Sequence, residues 1–550
     1  MTYKVFREFS VWRGVWIWPG FAAAGLAVLL GVLLVWLPLQ TSVLLVAGTA
    51  VVLLTIIQPL FGLALALIAG PFGALEQLLL GSSSLDSGQL LLFLTLAAWI
   101  GRGLARRKIT LPHTVLTLPF LLLISVGLLS LLGARSMELG IRELLKWLEM
   151  MAIVFLVVDL GSEGTVGKHG EARYSILGGP PKTAWIVAML LAAGISQGLV
   201  GIWQFALRGD GPEHFLVMDR FYRAYGTFEQ PNPFGGFMNL SALLALGLLL
   251  GLLGAWWAWW RAGEWVSGER RVASGRDELK YAPPLAEQSS FRPGFRALVV
   301  TGLAALAAGI TTLALLLSWS RGAWLGFAAG LAAMVLFWPH KRIHGALLLG
   351  SGFLLFAIAL ASGRVPAAVT ARLTGFTDDF RPGDVHGVDI NDDNYSVLER
   401  QAHWQAGLDM LRDDILLGVG FGNYAVAYPD YALINWPDPL GHAHNYYINL
   451  LAEVGIIGLI AYLIFWSAVL WQSARLLRHL DWPGRGIVLG LLGVWVALAA
   501  HHLVDKLYVN NIYIHLGVLL GLLQLMDLDK SSNRRGTLTQ SRTPPVEESG

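Results

Sequence analysis

Long apolar runs broken by short polar segments set the pattern of this chain. Phe21–Leu37, Val115–Leu132, Leu298–Leu317 and Ile487–Ala500 carry almost no charge. Each is long enough, or nearly so, to cross a hydrocarbon core about 30 Å thick as a helix of roughly 20 residues. A transmembrane β-barrel would alternate in segments of about ten residues instead, and that alternation is absent. The pattern predicts spans near residues 16–38, 42–57, 59–80, 89–101, 112–133, 137–159, 183–206, 235–260, 296–317, 321–338, 345–362, 446–475, 486–504 and 511–527. The break at Gln58-Pro59 and the short run at 89–101 put the count at 12–14 transmembrane helices. The expected fold class is therefore an all-α polytopic membrane protein.

Composition agrees with the pattern. Of 550 residues, 55% are hydrophobic and only 14% charged, with mean hydropathy +0.59; a soluble chain would carry nearer a quarter charged residues. Absence of cysteine excludes disulfides, zinc–thiolate sites and iron–sulfur clusters. The net charge of +2 gives no reason to expect a nucleic-acid partner. Several of the 22 tryptophans (Trp16, Trp18, Trp36, Trp256, Trp257, Trp259 and Trp260) fall near span ends, where an interfacial aromatic belt is expected. Lys4, Arg7 and Arg13 precede the first run and no small-residue cleavage site ends it, so it reads as an uncleaved span.

Charge then orients the spans. With a cytoplasmic N-terminus, the segments predicted to be cytoplasmic are Arg102–Lys108, Lys168–Lys182, Arg261–Arg296, His340–Arg342, Arg475–Arg485 and the tail after Asp527, and all carry basic residues. The opposite side receives Arg208–Phe234, Lys506–Tyr513 and the largest excursion, Gly363–His444, with five arginines, no lysine and about a dozen acids. Within that excursion Ser396-Val-Leu-Glu399 fits a capping box. Val397, Trp404, Leu408 and Leu411 recur at helical spacing, which predicts an amphipathic helix of about four turns ending near Arg412-Asp413-Asp414 and lying against the membrane domain. Gly263–Pro293 reads as a flexible cytoplasmic loop, and 531–550 as a disordered cytoplasmic tail.

Three polar constellations share the extracytoplasmic side. Arg220 to Phe234 holds Arg220, Arg223 and Asn232 before a span. Ser318-Trp319-Ser320-Arg321-Gly322-Ala323 forms an outer turn, and Arg321 is the only charge between Ala297 and Phe337. A snorkelling arginine is the ordinary explanation of such a residue. Gly441 to Gly455 places His442 and His444 before Asn445, Asn449 and Glu453, which share one helical stripe; Tyr447 lies beside them. Arg400 on the amphipathic helix adds a further cation. Guanidinium groups match phosphate oxygens bidentately and keep their charge, and a histidine near neutrality can take a proton from an attacking hydroxyl. Together they suit displacement of a diphosphate by an alcohol. Two other motifs have duller explanations. Gly418-Val-Gly420-Phe-Gly422 follows a helix rather than a strand, which argues against a dinucleotide site. Asp389–Asn394 resembles the start of an EF-hand loop, but Asn394 replaces the required glycine and Arg400 the bidentate acid; whether it binds calcium stays open.

Three blocks, R-x-Y-G-T-F-x-x-P-N (Arg223–Asn232), S-R-G-A (Ser320–Ala323) and G-x-G-x-G-N followed by H-x-H-N-x-Y…A-E-x-G-x-x-G, resemble the O-antigen ligase/polymerase superfamily of bacterial membrane glycosyltransferases. The resemblance covers residues 180–475 clearly and the earlier spans by layout. It implies a GT-C-like fold and an extracytoplasmic active site in the cytoplasmic (inner) membrane. It also implies an undecaprenyl-diphosphate-linked glycan donor, a lipid or glycan acceptor, membrane lipids around it, no cofactor, and an inverting, metal-independent transfer. Catalytic roles carry over to Arg223, Arg321 and His444, with His442 a close rival for the base. Arg220, Arg400, His442, Asn232, Asn445, Tyr447 and Glu453 are the expected substrate-binding set. The expected organisation is N-terminal spans over 1–180, a catalytic membrane region over 181–475 with its excursion at 363–444, C-terminal spans over 476–530, and the tail. A polysaccharide polymerase of the same superfamily is the nearest alternative. A transporter or flippase is the remote one, since no repeat relates the two halves and the polar groups cluster at one face.

Overall fold

The computed structural model describes residues 36–81, 85–107, 111–164, 175–177, 179–272, 294–374, 384–391 and 394–540, and residue 31. In chain order its helices are α1 (Leu39–Ile57), α2 (Pro59–Ala69), α3 (Gly73–Leu80), α4 (Ser87–Ala105), α5 (Thr117–Ser130), α6 (Met137–Ser162), α7 (Thr183–Ala206), α8 (Pro231–Val272), α9 (Phe295–Leu317), α10 (Arg321–Phe337) and α11 (Arg342–Ala361). The large excursion holds α12 (Ala367–Thr374), α13 (Tyr395–Asp413) and α14 (Tyr424–Ala427), and α15 (Tyr446–Leu476), α16 (Gly484–His501) and α17 (Ile512–Gln540) complete the chain. Among the described residues nine helical segments are long and apolar enough to cross a membrane, and Thr117–Gly133, Arg321–Phe337 and Ile512–Leu528 are shorter apolar helices. The chain is an all-α polytopic membrane protein. The expected span at 16–38 lies almost wholly outside the described residues; every other expected span falls on a helix. The only sheet among the described residues is a two-stranded hairpin, β1 (Leu216–Val217) and β2 (Phe221–Tyr222), with Leu216 opposite Tyr222.

The centre of the bundle is α8, α10 and α16, which pack on one another, with α9 against α8. Glycines four residues apart let their backbones meet. A β-carbon on Gly247 of α8 would stand 2.4 Å from the Gly490 Cα of α16, and one on Gly486 2.3 Å from the Gly251 Cα. On α10, a β-carbon at Gly330 would stand 2.7 Å from the Gly493 carbonyl oxygen. In lipid no hydrophobic force drives helices together, so such close van der Waals approach carries the association. This packing draws the starts of α8 and α10 and the ends of α9 and α16 to one end of the bundle. By contrast α1 and α11 are apolar and barely covered by protein, as lipid-facing helices are.

Local details differ from the sequence expectations. The excursion helix begins at Tyr395 after an Asn394 N-cap, so Ser396 lies inside the first turn and no capping box forms; Glu399 bonds the Tyr395 side chain instead. A reciprocal pair of Asn391 and Asn394 side-chain-to-backbone bonds, 2.9 and 3.0 Å, starts the helix two residues early. The helix has 19 residues, longer than four turns, and ends at Asp413 as expected. Its covered face follows Leu398, Ala402, Ala406 and Met410, rotated away from the expected stripe, in which Leu408 is exposed. The helix does pack against the membrane domain, on α15. Two helices outrun their expected ends. The α8 backbone continues to Val272, into the stretch read as a flexible loop, and α17 continues to Gln540, into the stretch read as a disordered tail.

Helix α15 is broken at Gly455, whose φ of 63° only glycine adopts freely. The loop before α14 fills the break. Val419 and Gly420 donate to the Ala452 and Glu453 carbonyls at 2.9 and 3.0 Å, and Ile456 donates to the Ile415 carbonyl at 2.9 Å. The exposed carbonyls and amides of a broken span are thereby satisfied, as non-helical backbone in a membrane requires. The glycines of the G-x-G-x-G run let the loop fit between two helices: a β-carbon on Gly418 would stand 2.4 Å from the Ala452 carbonyl oxygen at the break, while one on Gly420 would stand 2.6 Å from Ala134 and one on Gly422 2.9 Å from the Leu139 carbonyl oxygen, both near the start of α6.

Candidate functional site

At the end of the bundle where α8, α9, α10 and α16 meet, polar side chains gather. The loop carrying Arg223 is shaped by two buried glutamines of α7. Gln204 Oε1 accepts from the Tyr225 and Gly226 amides at 3.1 and 2.7 Å, and Gln197 Oε1 accepts from the Thr227 amide at 3.2 Å. Arg223 then points at the turn between α9 and α10: its Nε donates to the Ser318 carbonyl at 3.0 Å and its Nη2 to Asn232 Oδ1 at 3.3 Å. Asn232 Oδ1 also accepts from Ser320 Oγ at 2.9 Å, and Ser320 caps α10 by accepting from the Ala323 amide at 3.3 Å. Arg321 is thus the first residue of a capped helix, where the helix dipole already favours an anion.

Four guanidinium groups converge here. Burial first, then the charges of Arg372, Arg400 and Arg321, pull Arg223 down from the ordinary guanidinium range to about 9. Burial, then Arg321 and Arg400, pull Arg372 down to about 10. Arg372 donates to the Trp319 carbonyl from Nε and Nη2 at 3.2 and 2.9 Å. Among the described residues none of the four arginines has a carboxylate oxygen within 4.0 Å. Arg321 Nε and Arg400 Nε are buried without a hydrogen-bond partner. Like charges held together in a partly desolvated place, with donors to spare, describe an anion site.

The histidines lie beside it. Asn445 caps α15, accepting from the Tyr447 and Ile448 amides at 3.0 and 3.2 Å, and buried Asn449 accepts from the Ala443 amide at 3.1 Å. These bonds fix the loop in which His444 takes a left-handed φ of 50°, strained for a branched-off ring. The two rings are not equivalent. His442 Nδ1 accepts the His444 backbone N–H at 3.0 Å, and its Nε2 lies 3.7 Å from Asp505 Oδ1. Both ring nitrogens of His444 are buried and unbonded, with Nδ1 3.9 Å from the same carboxylate oxygen. The His442 imidazole is therefore engaged, and the His444 imidazole is free to meet a ligand. Burial lowers the pKa of both to about 3; Lys506, His403 and Arg400 assist at His442, while at His444 the charges of His442, Arg400 and His403 outweigh Asp505. Both are neutral at pH 7.

Behind them His403 edges the His444 ring at 5.7 Å, stacks on Tyr428 at 4.6 Å, and meets the Tyr424 hydroxyl at 3.1 Å. Lys506 is buried, which pulls its pKa down, but Glu143 and Glu453 overcome this and keep it charged. His442 Nε2, His444 Nδ1 and Asp505 could also offer three ligand atoms, within 4.8 Å of one another, to a metal ion.

The structure brings His442, His444, Arg223, Arg321, Arg400 and Asn232 to this one region. The other expected binding residues do different things. Arg220 is exposed on the hairpin with its guanidinium 5.2 Å from the Phe221 ring centre. Asn445 is a helix cap, and the Tyr447 hydroxyl donates to the Ala499 carbonyl at 2.9 Å. Glu453 is buried at the α15 break, where it accepts from the Tyr424 amide at 3.3 Å. Asn391 and Asn394 of the EF-hand-like stretch are committed to each other, and Asp392 and Asp393 lie outside the described residues.

Comparison with known families now bears on the site. Residues 304–463 match the family model described as O-antigen ligase. That match supports the O-antigen ligase superfamily. No curated protein matches it. The segment matched to the O-antigen ligase family holds Arg321, Arg372, Arg400, His403, His442 and His444; Arg223, Asn232 and Asp505 come from outside it. Sequence reading passed over Arg372, Asp505 and His403. Arg372 looked like any of five arginines in a mixed-charge excursion. Asp505 was the more findable, because it adjoins Lys506 in a short loop assigned to the same side as both histidines.

Proposed function

We propose that this protein transfers a glycan from undecaprenyl diphosphate to an acceptor hydroxyl at the outer face of the cytoplasmic membrane. The observation that carries the reading is the placement of an imidazole with two unbonded nitrogens, His444, beside a group of arginines with no described carboxylate oxygen within 4.0 Å. Arg223 and Arg321 hold the donor diphosphate, with Arg400 between the two groups: its charge is felt by Arg223 and by His444. The acceptor oxygen bonds to the anomeric carbon while the carbon–oxygen bond to the diphosphate breaks, which inverts that centre. The electron pair leaves on the polyprenyl diphosphate, whose added charge the guanidinium groups stabilise, and the acceptor proton passes to His444. Fixed cations at a leaving group are typically worth about 10²–10³ each in rate, and a positioned base about 10²–10⁴. Burial depresses His444 most; a bound diphosphate offsets the positive charge of Arg400 that adds to it, and so raises its basicity when it is needed.

The reading of ligase over polymerase rests on the acceptor, which either enzyme would present to the same base. In a reconstituted assay, purified protein receives a polyprenyl-diphosphate glycan, an acceptor and EDTA. The expected result is full turnover in EDTA, loss of about 10² or more in His444→Ala, and a product inverted at the transferred sugar. Loss of turnover in EDTA that zinc restores would make the His442, His444 and Asp505 group a metal centre and end the base reading.

A further inference from the structure

The turn between α9 and α10 is gripped from two sides. Arg223 takes the Ser318 carbonyl from the loop before α8, and Arg372 takes the next carbonyl, of Trp319, from α12. Arg321 emerges two residues later. One cation at the end of α9 needs no explanation beyond the helix dipole and its unpaired carbonyls. Two cations on successive carbonyls, with Arg321 and Arg400 alongside and no described carboxylate within 4.0 Å, are more than a helix end requires. Trp319 holds a left-handed φ of 52°, so the turn that carries both carbonyls is itself constrained. Arg372 uses Nε and Nη2 on one oxygen and keeps Nη1 for a second acceptor, as a five-donor fork allows.

We propose that Arg372 is a third direct ligand of the donor diphosphate, and that the anion thereby ties α12 and the excursion to the membrane domain. This rests on reading the arginine group as a diphosphate clamp. Of the clamp's four arginines, Arg223 sits in the loop before α8 and Arg321 at the start of α10, while Arg372 and Arg400 come from the excursion.

The test uses inorganic diphosphate as the probe and the full-length protein in detergent micelles. Calorimetry measures its affinity for the unsubstituted protein and for Arg372→Ala, Arg372→Lys, Arg223→Ala and Arg321→Ala. Hydrogen exchange follows the peptide containing α12. The expected result is a loss of about tenfold or more in Arg372→Ala, the cost of one charge-assisted contact. Arg372→Lys keeps a cation at the helix end and should retain the thermal midpoint while recovering only part of the affinity. Diphosphate should slow exchange in α12 of the unsubstituted protein and not of Arg372→Ala. Unchanged affinity in Arg372→Ala and Arg372→Lys, with loss in Arg223→Ala and Arg321→Ala, would leave Arg372 a helix cap and overturn this inference alone. Unchanged affinity in all four variants would overturn the clamp as well.

Discussion

The residue that most changes the account is His444, and its case comes from what it lacks. Asp505 faces one nitrogen of each ring without bonding it, but His442 Nδ1 is occupied by the His444 amide, whereas His444 has neither nitrogen bonded. In sequence the choice of His444 rests on the family block alone, with His442 a close rival two residues away, because the two rings differ in backbone conformation and bonding rather than in sequence context. His444→Ala should abolish transfer, and His442→Ala should reduce it by less, through a misplaced loop; comparable turnover in both variants would contradict the assignment. The pH dependence follows from the cited shifts. His444, depressed to about 3, is neutral over the whole physiological range, so no acid limb should fall near pH 6.5. Arg223, depressed to about 9, loses its proton as pH rises through that value, which removes a positive charge from the empty clamp. Initial-rate profiles should therefore show kcat/KM level from about pH 5 to 8 and falling above about 9, with kcat falling later because bound diphosphate holds the proton on.

At the scale of elements, the hydrophobic pattern predicted the helices well because each span is set by length and apolarity alone. It missed the rotation of α13, whose covered face is chosen by the fit of its Gly407 against Tyr424 and Ile448 of its partners rather than by its own largest side chains. The G-x-G-x-G run was legible as something unusual and illegible as to what, since its partner is the break in α15 about 35 residues later. Two substitutions separate these readings. Ser396→Ala should leave the thermal midpoint unchanged to within about 0.5 kcal/mol, because Ser396 caps nothing; a loss of about 1 kcal/mol would restore the capping box. Gly455→Ala should lower the midpoint markedly, since its β-carbon would stand 2.2 Å from the Leu416 carbonyl oxygen in a left-handed conformation that costs an L-residue about 1–2 kcal/mol before any clash.

Across the whole molecule, the membrane class was written in composition, while the site was written in three separated motifs that only packing unites. Arg223, Arg321 and His444 could be chosen from sequence because each stood out against an apolar background or a familiar block. Arg372 and Asp505 could not, because their meaning lies in distances across the fold. A clamp built from four elements and a base presented by a fifth divide the labour, and that division can be measured. The decisive experiment compares donor affinity with single-turnover transfer for Arg321→Ala and His444→Ala, using one polyprenyl-diphosphate glycan throughout. The account predicts that Arg321→Ala loses donor affinity by about tenfold or more, and that His444→Ala binds donor as the unsubstituted protein does but fails to transfer the glycan. Normal transfer by donor-saturated His444→Ala, or undiminished donor affinity in Arg321→Ala, would contradict it.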